Sequence, residues 1–405
     1  MMRTLLLATA MLITVHAARA DEDAYVQIQR GRALTVAGDC VACHSPAGRP
    51  AFSGGRAIET PFGKINSANL TPDVETGIGS WTADDFSRAM HEGLRPDGAH
   101  LYPAFPYTYY TRVTRADTDA IFAFFRTLPA VSNRVDRDTL PFPFDIRTSM
   151  IAWNAMFFTS GTITADPARS EAFNRGAYLV EGLGHCGACH TPMNGLGASR
   201  DSAYLQGNLL QGWVAPNITA DARMGIGGWT EAAIVEYLRT GRNDVAAASG
   251  PMAEVVMNST ALMADADLHA IALYLKERGG AGTSATPIPA NDPTMQVGQN
   301  IYADTCSACH TSTGAGIDRL FPRLAGAPNV QQTDATTLIR VVLTGTRAAS
   351  TAGAPTAPAM PSLGWRLDDD QVAAVVTYIR NAWGNAAPPV TVSEVARLRE
   401  KVAAR

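Results

Sequence analysis

The chain has 405 residues and a formal net charge of -4, with 46% hydrophobic and 17% charged residues. This length is more than one small core needs and predicts two to four domains. The negative charge and the lack of a basic block exclude nucleic acid as a partner, and the 35 glycines indicate many loops.

Residues 1–20 have the pattern of a secretory signal peptide. Arg3 supplies a positive charge, residues 5–15 are apolar, and residues 18–20 have the small-x-small form of a cleavage site. The apolar stretch is too short for a transmembrane anchor, and three acidic residues follow it almost at once. These features predict export to the periplasm, and no later segment predicts a membrane span.

All six cysteines lie in three copies of the motif C-x-x-C-H. This motif attaches c-type haem: the cysteines form thioethers with the porphyrin, and the histidine lies under the iron. A redox dithiol would not need the histidine each time, and zinc would need two further ligands per pair. The sequence therefore predicts three covalent haem c groups. The attachment residues are Cys40, Cys43, Cys186, Cys189, Cys306 and Cys309, and the proximal iron ligands are His44, His190 and His310.

The three motifs lie in three repeats with a common helix pattern. A short helical stretch with a glycine precedes each motif, and an apolar helical stretch with an aromatic residue ends each repeat. We expect the glycine to let the last helix of a repeat cross the first helix closely. The glycines are Gly31, Gly176 and Gly298, and the aligned aromatic residues are Phe124, Tyr274 and Tyr378.

The first two repeats share a further segment, residues 69–81 in the first and 217–229 in the second. Each segment ends in a tryptophan, which is either a core residue or a haem-edge contact whose indole N–H meets a propionate. Thr82 and Thr230 follow the tryptophans, and we predict that their hydroxyls cap the next helices. In the third repeat, Arg323 could pair with a propionate or lie at the surface.

Composition changes divide the chain. We predict a mainly α fold with three tandem class I cytochrome c-like haem domains. An aromatic-rich stretch, residues 140–158, either packs between the first two domains or docks on a partner or membrane. The predicted segments are a signal peptide (1–20), haem domain 1 (21–128), a linker or arm (129–169), haem domain 2 (170–279), a linker (280–292), haem domain 3 (293–385) and a C-terminal tail (386–405) with a helix candidate at 392–403.

A c-type electron carrier needs a second axial iron ligand, and methionine sulfur opposite histidine raises the reduction potential. In the third repeat, Met360 is the only methionine after the motif, and it lies in a Pro-Ala-Met-Pro loop. In the second repeat, Met252 follows a Gly-Pro pair in a predicted loop and is favoured over Met257 and Met263. Met252 and Met360 are therefore the predicted axial methionines.

The first repeat has Phe105 at the loop position where the third repeat has methionine. Met90 aligns with aliphatic residues of the other repeats, which favours a core role. Met150, His91 and His100 are further candidates for the sixth ligand, although both histidines could equally be exposed loop residues. The sequence leaves the sixth ligand of the first haem open.

Together the motif spacings, the shared segments and the methionine loops resemble the three-haem cytochrome c subunits of bacterial membrane-bound dehydrogenases. Those enzymes oxidise alcohols, gluconate, sorbitol or aldehydes, and the resemblance covers nearly the whole mature chain. It implies the six haem attachments and the axial ligands named above. It also implies a catalytic partner with flavin, a quinone cofactor or molybdenum, an acceptor that is ubiquinone or a terminal oxidase, and peripheral contact with the cytoplasmic membrane.

The sequence is compatible with two functions, which belong to different classes of protein. The leading prediction is an electron-transfer subunit of the respiratory chain without substrate chemistry of its own. The alternative is a haem enzyme, a peroxidase or reductase, working at an open first haem because Phe105 replaces a sulfur ligand. The sequence shows no His/Arg pair for that chemistry, and the loop is apolar and aromatic, which disfavours the enzyme.

Overall fold

The computed structural model describes residues 22–136, 139–280, 282 and 284–403. The predicted signal peptide lies outside these residues. The described chain is mainly helical, which confirms the predicted fold class. The helices are α1 (22–37), α2 (Cys40–His44), α3 (Ala83–Glu92), α4 (Tyr107–Tyr110), α5 (Arg115–Phe125), α6 (Ser149–Phe157), α7 (Glu171–Tyr178), α8 (Cys186–His190), α9 (Glu231–Thr240), α10 (Pro251–Asn258), α11 (Asp265–Glu277), α12 (Pro293–Thr305), α13 (Ser307–His310), α14 (Pro328–Gln331), α15 (Thr336–Thr344), α16 (Asp369–Ile379) and α17 (Val392–Ala403).

Short strands form small antiparallel pairs in the described part of the chain. Each pair is a hairpin, and no larger sheet joins them there. A π-helical turn at Leu179–Leu183 extends α7. The strand pairs are β1 (Ala57–Thr60) with β2 (Gly63–Asn66), β3 (Asn208–Leu210) with β4 (Trp213–Ala215), and β5 (Thr346–Arg347) with β6 (Ala359–Met360).

The chain divides into two compact units, with the boundary between Ile163 and Thr164. The first unit contains the first C-x-x-C-H motif, and the second unit contains the other two. Most of the predicted linker, up to Ile163, therefore belongs to the first unit. The finer division into three haem domains stays a prediction.

A glycine lies at the crossing of the first and last helices in every repeat. In the third repeat, a Cβ atom added to Gly298 on α12 would lie 2.2 Å from the carbonyl oxygen of Ala374 on α16 and 2.6 Å from the Cβ atom of Tyr378. No side chain fits at such distances, so the close crossing requires glycine. This confirms the predicted crossing. The equivalent contacts are Gly31 with Ala120 (1.8 Å) and Phe124 (3.0 Å), and Gly176 with Ala270 (2.0 Å) and Tyr274 (2.7 Å).

Threonine hydroxyls cap the helices after the two shared segments, as predicted. The Thr82 hydroxyl accepts a hydrogen bond from the Asp85 amide at the start of α3 (3.1 Å), and the Asp85 carboxylate accepts one from the Thr82 amide (3.0 Å). The Thr230 hydroxyl accepts from the Ala233 amide at the start of α9 (3.1 Å). These bonds satisfy amides that a helix leaves without intrahelical partners.

The aromatic-rich stretch packs against its own unit. The Tyr107 hydroxyl donates to the Asn154 side chain on α6 (2.5 Å), and the Tyr107 ring lies 5.2 Å from the ring of Phe158. Other apolar side chains of the stretch, Phe142 and Ile151 among them, are more than half exposed. The stretch is therefore anchored by one face and leaves apolar side chains at the surface of the first unit.

The predicted tail helix is confirmed as α17, which buries Val395 and Leu398. The preceding segment is held by Arg380, whose side chain is fully buried and donates to the carbonyl oxygen of Pro388 (3.1 Å). Burial lowers the pKa of Arg380 to about 10, so the guanidinium remains charged at neutral pH. No helix in the described residues is long and apolar enough to cross a membrane.

Candidate haem sites and iron ligands

Every C-x-x-C-H motif forms or begins a short helix after a longer one. The motifs form α2 and α8, and in the third repeat Cys306 is the residue before α13. None of the six cysteines forms a disulfide bond. Burial raises the pKa of the Cys40 and Cys186 thiols to about 12 and that of Cys306 to about 11. The fold thus presents two thiols in each motif, the groups that add to the vinyl groups of a porphyrin.

The three motif histidines share one orientation. In each, Nδ1 meets a backbone carbonyl oxygen, and because a carbonyl can only accept, Nδ1 must carry the proton. Burial lowers the pKa of each imidazole, which favours the neutral form. Nε2 therefore presents a lone pair, as an iron ligand requires. The donor–acceptor pairs are His44 with Ala68 (2.7 Å), His190 with Pro216 (2.7 Å) and His310 with Pro322 (3.0 Å).

The acceptor carbonyls in the first two repeats immediately precede the asparagine of the shared segment. Asn69 Oδ1 accepts hydrogen bonds from the amide (3.0 Å) and hydroxyl (2.7 Å) of Thr71. Asn217 makes the same bonds with Thr219, both at 2.8 Å. Each turn fixes the backbone beside the carbonyl that orients the histidine. Sequence reasoning missed this role, although the repeated Asn-x-Thr was visible.

Several buried side-chain donors have no hydrogen-bond partner among the described residues, and they include Trp229 Nε1, Arg323 Nε and Asn208 Nδ2. A buried donor without an acceptor costs roughly 1–3 kcal/mol. A haem carries two propionates, so donors of this kind fit a bound haem. The finding supports the haem-edge interpretation of Trp229 and the propionate interpretation of Arg323, and it adds Asn208, which the sequence did not indicate.

The two predicted axial methionines occupy different local structures. Met360 ends β6, is partly buried and packs against the hydrophobic core of the third repeat, as Cys306 also does. Met252 lies in the first turn of α10 and not in a loop, because Pro251 is favoured at the first position of a helix. Its side chain packs against a small cluster that includes Ala349.

One backbone hydrogen bond aligns the first two repeats. The Leu101 amide donates to the Gly93 carbonyl, and the Ala248 amide donates to the Gly241 carbonyl, both at 2.7 Å. Phe105 lies four residues after the first donor, and Met252 lies four residues after the second. By this alignment, Phe105 takes the position of the second repeat's methionine.

The other candidates for the first iron lie elsewhere in the first unit. Met90 is buried on α3, where only 4% of its surface is exposed, as expected of a core residue. His91 follows it, and its Nδ1 lies 3.3 Å from the Ser87 hydroxyl of the same helix. His100 pairs through its backbone with Leu94, and Met150 lies in the first turn of α6. None of these residues lies four residues after Leu101, the position that Phe105 occupies and that corresponds to Met252 in the second repeat.

Comparison with known proteins agrees with these features. Residues 28–129 and 295–383 match the family model for cytochrome c. The chain is 42% identical to the gluconate 2-dehydrogenase cytochrome c subunit of Pantoea cypripedii, over 95% of this chain and 92% of the relative. It is 37% identical to the cytochrome c subunit of the quinone alcohol dehydrogenase of Gluconobacter oxydans, over 96% and 85%.

A further relative is the fructose dehydrogenase cytochrome subunit of Gluconobacter japonicus, which is 36% identical over 92% of this chain and 82% of the relative. Each of these three alignments covers at least 92% of this chain and therefore includes both compact units. The thiol pairs and the oriented histidines are the groups that covalent haem c requires. The chain belongs to the family of cytochrome c subunits of bacterial dehydrogenases, which carry covalent haem c and transfer electrons rather than oxidise substrate.

Proposed function

We propose that this chain holds three haems and relays electrons from a catalytic dehydrogenase subunit to ubiquinone or a terminal oxidase. The observation that carries the proposal is the common orientation of His44, His190 and His310, each of which donates from Nδ1 to a backbone carbonyl. One such histidine could serve many roles. Three in C-x-x-C-H motifs, each leaving Nε2 free to bind iron, support three equivalent attachment sites.

The residues of this chain hold and tune the cofactors. The motif cysteines anchor the porphyrins, and the motif histidines supply one axial ligand to each iron. Met252 and Met360 supply the second ligand in the second and third repeats and raise the potential there. Bound haem iron supplies one-electron transfer between the ferric and ferrous states. The first iron, with Phe105 at the methionine position, differs from the other two.

The relatives support a catalytic dehydrogenase as the electron donor, since they are named as subunits of gluconate, alcohol and fructose dehydrogenases. The donor carries flavin, a quinone cofactor or molybdenum. The signal-peptide pattern in residues 1–20 supports a periplasmic location. Contact with the cytoplasmic membrane is then peripheral and brings the chain close to its acceptor.

The haem count tests this proposal directly. We expect three covalent haems per chain by intact mass and by haem absorbance, and two after Cys306→Ala with Cys309→Ala, because the third motif then has no thiol. The control is Ser307→Ala, which lies between those cysteines and leaves both thiols. One covalent haem or none in the unchanged protein contradicts the proposal, as do three haems in the double variant.

Phe105→Met tests the first site. We expect a new sulfur–iron absorption band in the far red and a higher potential of one haem, because the alignment places residue 105 where Met252 lies. The control is Phe122→Met, the same exchange at a buried position on α5. If Phe105→Met retains full haem content and gives an unchanged spectrum, Phe105 does not face the first iron.

A further inference from the structure

Arg242 belongs to the second repeat, two residues after the end of α9. Its backbone is fixed there, because its amide donates to the Thr240 hydroxyl (3.2 Å) and its carbonyl accepts from the same hydroxyl (2.8 Å). Only 7% of the residue is exposed. Its guanidinium donates to three backbone carbonyl oxygens, all of them in the third repeat. The acceptors are Arg319 (3.1 Å), Ala354 (3.0 Å) and Thr356.

The first acceptor lies on the segment that orients the third motif histidine. Ile317 and Phe321 exchange two backbone hydrogen bonds (2.9 and 2.8 Å), so Arg319 is in the middle of a tight turn. Pro322 follows that turn, and its carbonyl accepts from His310 Nδ1. The Arg319 side chain also pairs with Glu236 on α9 (2.6 Å). The second repeat therefore holds this turn at two points.

The other two acceptors lie on the loop that leads into the third methionine. Thr351 and Ala354 exchange backbone hydrogen bonds (3.1 and 3.0 Å), and the Ala348 amide donates to the Pro358 carbonyl (2.9 Å). Met360 follows two residues later. Arg242 thus donates hydrogen bonds to this loop at Ala354 and Thr356, six and four residues before Met360.

The segment directly after β5, the strand that pairs with Met360, is also attached to the second repeat. The Ala349 amide donates to the Ala248 carbonyl (3.1 Å), next to the Ala348 amide that donates the other way to Pro358. These successive amides join the methionine hairpin of the third repeat to the segment just before Met252. The Arg242 side chain bonds both to the histidine-orienting turn and to the methionine loop.

We propose that Arg242 is a positioning residue for the third haem, which fixes the segments on both sides of its iron. The inference rests on the proposed function, in which His310 and Met360 are the axial ligands. A guanidinium suits the task because its planar fork of donors reaches several carbonyls in fixed directions, which a compact ammonium cannot do. Without the fork, the two segments move independently and the methionine is displaced more easily.

The test compares Arg242→Gln and Arg242→Lys with the unchanged holoprotein. The second and third sites both contribute to the far-red sulfur–iron band. The absorbance lost in Met360→Leu is the part of the band that belongs to the third site. We expect imidazole to remove that share at about tenfold lower concentration in Arg242→Gln, the effect of losing charge-assisted hydrogen bonds. Arg242→Lys, which keeps the charge, is expected to show an intermediate shift, and it decides the matter if the glutamine variant does not accumulate.

The matched control is Arg239→Gln, three residues earlier on α9. Arg239 also donates to two carbonyls, those of Ala261 (3.3 Å) and Met263 (2.8 Å), but both lie in the second repeat. Unchanged imidazole displacement in Arg242→Lys and Arg242→Gln at full haem content overturns the inference, and so does an equal shift in Arg239→Gln. If instead Met360→Leu leaves the band intact, the axial assignment in the proposed function has failed.

Discussion

We expect Met360→Leu to lower the reduction potential of one haem by roughly 0.1–0.3 V, part of the about 0.8 V range that axial ligands span. Leucine has a similar volume but no sulfur, so the ferrous state loses the ligand that favours it. Part of the far-red sulfur–iron band disappears with it. A potentiometric titration followed by absorbance measures both effects, while the haem count stays unchanged.

Met295→Leu is the matched control. Met295 is a methionine buried in the hydrophobic core against which Met360 packs. It makes the same exchange at low cost, since volume-conserving swaps in a core cost less than about 1.5 kcal/mol. We expect unchanged potentials and an unchanged band. Equal effects of the two variants would show that Met360 acts through packing and is not an iron ligand.

Gly298→Ala is expected to destabilise the third repeat by about 3 kcal/mol or more, the upper part of the range for overpacked cores. Helix propensity alone predicts the opposite sign, a gain of about 1 kcal/mol for alanine over glycine inside a helix. The added Cβ atom would lie 2.2 Å from the Ala374 carbonyl oxygen, so the crossing of α12 and α16 must open. Guanidinium unfolding followed by the haem spectrum measures the lower midpoint.

Gly195→Ala is the control for this experiment. Nothing lies within 4 Å of a Cβ atom placed on Gly195, so we expect a change of at most about 0.5 kcal/mol. A stabilised Gly298→Ala variant would mean that the two helices are farther apart than described. The three glycine crossings would then not be a structural requirement of the repeats.

The sequence predicted those features that depend on local pattern. The cysteine motifs, the crossing glycines such as Gly298, the capping hydroxyl of Thr82 and the tail helix at Val392–Ala403 all carry their information in residue type and spacing. The start of α10 at Pro251 could also have been predicted, because proline favours the first turn of a helix. A Gly-Pro pair also occurs in turns, and the loop predicted at Met252 on that ground is wrong.

Other features depend on contacts between distant segments. The carbonyls of Ala68 and Pro322 orient histidines 24 and 12 residues away, and a carbonyl has no side chain to mark it. Arg242 resembles any arginine that follows a helix, since its acceptors lie 77 or more residues further along the chain. The packing of the aromatic-rich stretch on the first unit likewise depends on Asn154 meeting Tyr107.

Each of the three motif histidines donates to a main-chain carbonyl oxygen, and this limits what a point mutation can do to the histidine. Replacing Ala68, Pro216 or Pro322 alters a side chain and leaves the accepting oxygen in place, so single mutations cannot abolish the imidazole's anchor. The electron-donating strength of that ligand is therefore buffered against mutation. Under the proposed function, variation among the three redox centres would then arise at the second axial position, where the first repeat has Phe105 and the other two have Met252 and Met360.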